Sequence, residues 1–212
     1  MPRIDDYRQA FELGKKQLLQ QNPDIVAGFS GAVANKGKES EMILSLSFLN
    51  RRIDVTWGDF RMRFKATDEE VPIQQQILLL HYLYGAWASR GVAPSEEWIS
   101  FHEVPDGRFY IDAFQRRAKV PLLQAFGSKP ERLLKVAAEI YGAVPFDQGD
   151  FSVLVRALPL VPVALVLWKG DVEFPSDGNI LFDRTVRRLL SAEDIAWLAG
   201  MVVYPLVGKA NG

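Results

Sequence analysis

Residues 41–65 read Glu41-Met-Ile-Leu-Ser-Leu-Ser-Phe-Leu-Asn-Arg-Arg-Ile-Asp-Val-Thr-Trp-Gly-Asp-Phe-Arg-Met-Arg-Phe-Lys65. Apolar and polar residues alternate with period two, the spacing of a half-buried strand. Turn residues at Asn50-Arg51 and Gly58-Asp59 cut the stretch into strands over 41–49, 52–57 and 60–65. In the last, Phe60, Met62 and Phe64 point one way and Arg61, Arg63 and Lys65 the other. One face is therefore buried and one solvated, as an antiparallel meander requires. Upstream, residues 5–20 place Tyr7, Ala10, Phe11, Leu18 and Leu19 at helical spacing, and Asn22-Pro23 closes that helix. Residues 31–40 read as a polar loop. Downstream, Asp68-Glu69-Glu70 and Pro72 suit a helix start, and the uncharged run 71–89 predicts a buried central helix ended near Gly91.

Beyond that helix the patterning changes again. Residues 98–104 look extended up to Pro105-Asp106-Gly107. Segments 109–117, 121–126 and 130–141 look helical, with Gly142 suited to a left-handed cap. Residues 151–158 and 161–168 are the most strand-like of the chain, and Pro159 and Pro162 confine them to an edge or to strand ends. Lys169-Gly170-Asp171 predicts a hairpin turn into Val172-Glu173-Phe174. Ser191 and Asp194 form a capping box before a C-terminal helix over 192–204. The expected class is α+β: one domain over 1–212, with a helix and meander in 1–70 and a second short-stranded β unit within 71–212.

The chain has 212 residues, 25 Lys+Arg against 26 Asp+Glu, and no cysteine. Absent cysteine excludes disulfides, thiolate zinc sites, cysteinyl iron–sulphur clusters and a Cys nucleophile in this chain. The charges are spread evenly, so no basic segment offers phosphate an attraction, and a nucleic-acid role is not expected. The run 71–89 approaches spanning length but carries Pro72, Gln74, Gln75, Gln76 and His81, and the first residues are charged where a signal peptide is apolar. A cytoplasmic protein without membrane spans is expected.

Three motif look-alikes fail. Gly31 to Lys38 has five residues between its glycines, and Glu39 stands where a phosphate loop needs a hydroxyl. Gly28-Phe29-Ser30-Gly31-Ala32 lacks the last glycine of a serine-hydrolase elbow. Asp171, Glu173 and Asp177 start like a calcium loop, but Ser176 replaces its glycine. No metal ligand set emerges, and no cofactor is indicated.

Four weaker groupings remain. His81 and His102 are the only histidines and can titrate near neutral pH. His81 stands among leucines, which suits a core histidine as well as an acid/base. His102 and Glu103 are neighbours in a strand, so they face opposite sides. Trp98, Phe101, Tyr110, Phe114 and Arg117 can line a pocket for a flat anionic ligand, or can be aromatic core beside a solvated arginine. Trp168, Asp171, Glu173 and Asp183 close the set; on a strand Asp171 and Glu173 share a face, either for a hard cation or as a charged edge.

These same residues carry a resemblance. Ile77-Leu-Leu-Leu-His-Tyr-Leu83, Trp98-x-x-Phe101-x-Glu103-x-Pro-x-Gly107, Ala113-Phe114-x-x-Arg117, Pro121-Leu122, Phe126-Gly127, Gly149-Asp150, Trp168-x-Gly170-Asp171-x-Glu173-Phe174-Pro175 and Leu181-Phe182-Asp183 resemble a family of uncharacterised proteins of anaerobic bacteria and archaea. Some of its members are fused to a small iron–sulphur domain. The resemblance covers roughly residues 70–200 and implies a setting in anaerobic redox or metal metabolism, without a reaction. Any cluster would sit on a partner. The leading expectation is a binding module for a small molecule or an iron–sulphur partner protein. The alternatives are an enzyme using His81 with Glu103, Asp171 or Glu173 as acid/base or metal ligands, and a structural subunit or homo-oligomer with an exposed apolar patch near 195–207.

Overall fold

The computed structural model describes residues 4–37 and 41–211. The Tyr7 and Ala10 side chains and residues 38–40 of the expected loop lie outside the described part. The fold is α+β, with an N-terminal antiparallel sheet, a buried helix and a second antiparallel sheet. The chain divides into two compact units: residues up to Ala93 with Arg188–Leu190, and Pro94–Arg187 with the segment from Ser191 onward.

In the first unit, helices α1 (Ile4–Leu18) and α2 (Pro23–Ser30) precede strands β1 (Val33–Lys36), β2 (Met42–Phe48), β3 (Arg51–Thr56) and β4 (Met62–Phe64). They pair in sequence order, all antiparallel. The alternation reads through to the structure: Leu44, Leu46, Phe48, Ile53, Val55, Met62 and Phe64 are buried, whereas Arg61, Arg63 and Lys65 are exposed. The first turn centres on Leu49 and Asn50, both at positive φ, one residue earlier than expected. That conformation matches the twist of a two-residue hairpin.

Two elements of this unit were not expected. Helix α2 is capped by the Asn22 side chain, which accepts from Asp24 N at 2.9 Å, with Pro23 at its start. Strand β1 lies within the expected polar loop; as a largely exposed edge strand it has no buried face to leave a hydrophobic pattern. Residues 68–70 also depart from expectation. Instead of opening the helix, Glu70 bridges to Arg63 and accepts from Gln76 Nε2 at 3.0 Å, and Pro72 caps α3 (Ile73–Ala88). Helix α3 buries Leu78, Leu79, Leu80, Tyr82, Leu83 and Ala86 against α1 and α2, and the Tyr82 hydroxyl donates to Ser30 O at 2.6 Å. Segment Arg188–Leu190 packs on α3 so closely that a Cβ at Gly85 would lie 2.1 Å from Leu189 O.

The second unit is built on a sheet of order β5-β9-β8-β7-β6, from β5 (Trp98–Ser100), β6 (Val144–Pro145), β7 (Phe151–Leu158), β8 (Val161–Trp168) and β9 (Asp177–Asp183). Strands β7 and β8 match the sequence reading residue for residue; Pro162 sits at the end of central β8 and Pro145 on the edge strand. Side chains of Ile99, Phe182, Ile180, Val163, Leu165, Val155 and Val153 line one face by register and are buried. The helices of this unit are α4 (Ile111–Phe114), α5 (Val120–Phe126), α6 (Glu131–Tyr141) and α7 (Ala192–Asn211). Where two helices were expected over 109–126, the chain is helical without a break from Ile111 to Phe126. A π turn at Gln115–Lys119, closed by Val120 N to Gln115 O, widens it. Pro121 supplies the reason, since it has no N–H for the Arg117 carbonyl and its ring presses on that carbonyl in an ordinary α turn. Gly142 caps α6 at φ 61° as expected.

Helix α7 begins at the expected capping box, with Ser191 Oγ donating to Asp194 Oδ2 at 2.7 Å and accepting from Asp194 N. It runs past the expected end because Tyr141 repairs the defect at Pro205. Pro205 leaves Met201 O without its helical donor, and the Tyr141 hydroxyl donates to Val202 O at 2.8 Å and reaches Met201 O at 3.4 Å. Ile195, Leu198, Val202, Val203 and Leu206 are buried, so the apolar patch expected near 195–207 is core and not surface.

Candidate functional site

The expected pocket residues divide among three places in the second unit. Phe101 and Phe114 are buried and stack face to face, centroids 4.3 Å apart at 2°, with Phe114 tilted against Phe182 at 6.4 Å. Trp98 lies on the opposite sheet face, edge-on to Phe146 at 4.8 Å, beside Ala164, Val166 and Leu181. Tyr110 and Arg117 face α7: the Arg117 guanidinium lies 4.1 Å over the Trp197 ring, and the Tyr110 hydroxyl is 3.5 Å from Glu193 Oε2, whose charge raises the Tyr110 pKa. Trp197 and Glu193 were not singled out by sequence, although their spacing of four on one helix was there to read.

Residues 98–104 form a strand only to Ser100; Phe101–Glu103 is a 3-10 turn. The opposite-face argument for His102 and Glu103 therefore does not apply. Glu103 accepts from Ser100 N at 2.8 Å and Ser100 Oγ at 3.0 Å, and the backbone bond above all lowers its pKa. His102 is exposed. His81, expected in the core, is also exposed: the leucines around it turn to the buried side of α3, and His81 falls on the stripe with Tyr84 and Ala88. Among the described residues no group of three His, Asp or Glu is placed to hold a metal ion.

Asp171 and Glu173 do not lie on a strand. Residues 169–176 form a loop from β8 to β9, whose ends meet at the pair Trp168 and Asp177. Asp171 builds it. Its Oδ1 accepts from Glu173 N and Phe174 N, both at 2.8 Å, while its own N–H donates to Phe174 O at 2.9 Å. Those backbone bonds, Phe174 first, hold the Asp171 pKa below the ordinary range. Side-chain competition for backbone donors is what replaces the expected hairpin by this turn. The turn is also tight: a Cβ at Gly170 would lie 2.6 Å from Ser176 N. At the root, Asp150 Oδ2 accepts from Lys169 N at 2.8 Å.

The loop presents apolar groups to solvent. Val172 is 104% exposed, Phe174 67% and Trp168 40%. Carboxylates lie near them: Asp171 and Glu173 on the loop, Asp177 at its exit, and Asp147 and Asp150 in the turn that Gly149 brings beside Trp168. The cations placed there are Lys169 and Lys119, the latter 3.2 Å from Asp177. Trp168 and Trp98 stand at opposite ends of β9, opposite Asp177 and Asp183, so they do not share a pocket.

Asp183, at the other end, is a 1% exposed carboxylate. It accepts from Glu96 N at 2.6 Å, Ser95 Oγ at 3.2 Å, Thr185 N at 2.9 Å and Thr185 Oγ1 at 2.6 Å. Burial raises its pKa, but the bonds from Thr185, Ser95 and Glu96 outweigh burial and leave it lowered. It ties residues 95–97 to β9 and is structural.

A family model described as a domain of unknown function, DUF3786, matches residues 22–204. No curated protein and no solved structure matches the chain.

Proposed function

Since the chain belongs to the DUF3786 family, whose description carries no activity, we propose from its geometry that it is a binding module that docks a protein partner through Trp168, Val172 and Phe174. One observation carries the reading: three large apolar side chains are held in water on a loop whose backbone is fixed by Asp171 and Gly170. Leaving them exposed costs hydrophobic free energy that a partner's surface would recover. The fixed backbone lowers the ordering cost of association. On the resemblance noted above, that partner would be an iron–sulphur protein of anaerobic metabolism; the setting expected for it is cytoplasmic. Among the described residues no helix is long and apolar enough to cross a membrane.

A small-molecule ligand is the second reading, and Arg117 favours it. Its guanidinium is held over the Trp197 ring, and half-buried Tyr110 reaches Glu193, one turn earlier on the same helix. Acid/base chemistry has less to rest on, because the Glu103 and Asp171 carboxylates are committed to nearby N–H and O–H groups.

The test compares Phe174→Ser with Leu13→Ser, a control at another exposed apolar residue. Tagged full-length chains are recovered from the cells that naturally make the protein. Phe174→Ser is expected to lose a stoichiometric partner by about 30-fold in affinity, the loss of a central aromatic anchor, with its thermal unfolding unchanged. Equal partner retention by both variants would end the docking reading.

A further inference from the structure

The rim of the loop says what kind of partner fits. Asp171 and Glu173 lie on the loop, Asp177 at its exit, and Asp147 and Asp150 in the turn beside Trp168; among the cations near them, Lys169 is on the loop and Lys119 pairs with Asp177. We infer that the occupant is a protein surface with lysines and arginines around an apolar pocket. The inference rests on the docking role proposed above. An exposed apolar tip needs an apolar receptor, and the carboxylates beside it favour cations opposite, Glu173 above all, since Asp171, Asp150 and Asp177 already face Glu173 N and Phe174 N, Lys169 N, and Lys119. Phosphate-bearing surfaces are disfavoured, since the same carboxylates repel anionic lipid head groups and nucleic-acid backbones. Opposite charges on the two rims also steer encounter and suppress wrong partners.

The decisive experiment places the photo-crosslinker p-benzoylphenylalanine at position 172 of the full chain, in the cells that naturally make it. Position 172 suits the probe because Val172 has no contact to lose. The expected product is a protein adduct whose linked peptide is flanked by Lys and Arg. With that partner purified, affinity falls about tenfold or more between about 50 and about 200 mM salt. Glu173→Lys weakens binding about tenfold at the lower salt and less at the higher. An adduct to an acidic or uncharged peptide, or a salt-independent affinity, overturns the inference and leaves the docking role standing. A lipid adduct or a link between two copies of this chain overturns both, as does the absence of any adduct.

Discussion

Asp183 shows how a buried charge is made tolerable. Four donors face its two oxygens, so the ion keeps its hydrogen bonds although solvent is excluded. Its lowered pKa has a definite consequence for acid stability. The unfolded chain binds this proton at higher pH than the folded one, so the contribution is complete above the ordinary aspartate range and disappears as pH falls through the folded value. Asp183→Asn replaces one acceptor by a donor and is expected to destabilise the second unit by about 2 kcal/mol at neutral pH. Denaturant melts should show that gap narrowing in acid. A gap independent of pH would mean the carboxylate is not ionised in the fold.

Among the helices, α7 depends on a neighbour to cross its proline. Tyr141 donates to Val202 O and lies 3.4 Å from Met201 O, the carbonyl that Pro205 leaves without its donor, and burial of its hydroxyl pushes that pKa well up, so it stays a donor at any physiological pH. Tyr141→Phe is expected to cost about 1–3 kcal/mol by leaving a buried carbonyl unpaired. The same substitution in a Pro205→Ala background, where the backbone N–H returns, is expected to cost about 1 kcal/mol less. A double-mutant cycle by chemical denaturation reads the difference, and additivity of the two changes would refute the coupling. The loop 169–176 obeys the same logic in reverse: there a side chain, Asp171, takes backbone donors that a hairpin would have used.

For the molecule as a whole, the chain leaves the first unit after Ala93 and returns to it for Arg188–Leu190. The Gly85 approach to Leu189 O marks how closely that return packs on α3. A single engineered protease cut at the 93/94 junction is therefore expected to leave the two pieces co-eluting in gel filtration, and their separation would show the return segment to be dispensable. Much of this architecture was legible in the chain itself. Period-two patterning located β2, β3 and β4, strand-like apolar runs located β7 and β8, and the uncharged run 71–89 marked α3 as buried, because hydrophobic spacing reports which face meets a core, whereas burial of α7 was not read from the sequence. Helix α2 carried its signal in Asn22-Pro23-Asp24, whereas β1, exposed at an edge, carried none. The site was far less legible. Whether Trp98, Phe101, Phe114 and Arg117 meet or part depends on sheet register and on which face each helix turns inward, and His81 left the core through a rotation of one helical position. Sequence alone determined the α+β class and removed thiol chemistry, since both follow from local pattern and composition. Only the tertiary structure decided that the stacked rings are core and that Trp168, Val172 and Phe174 are surface, because burial is a property of what the rest of the chain places alongside.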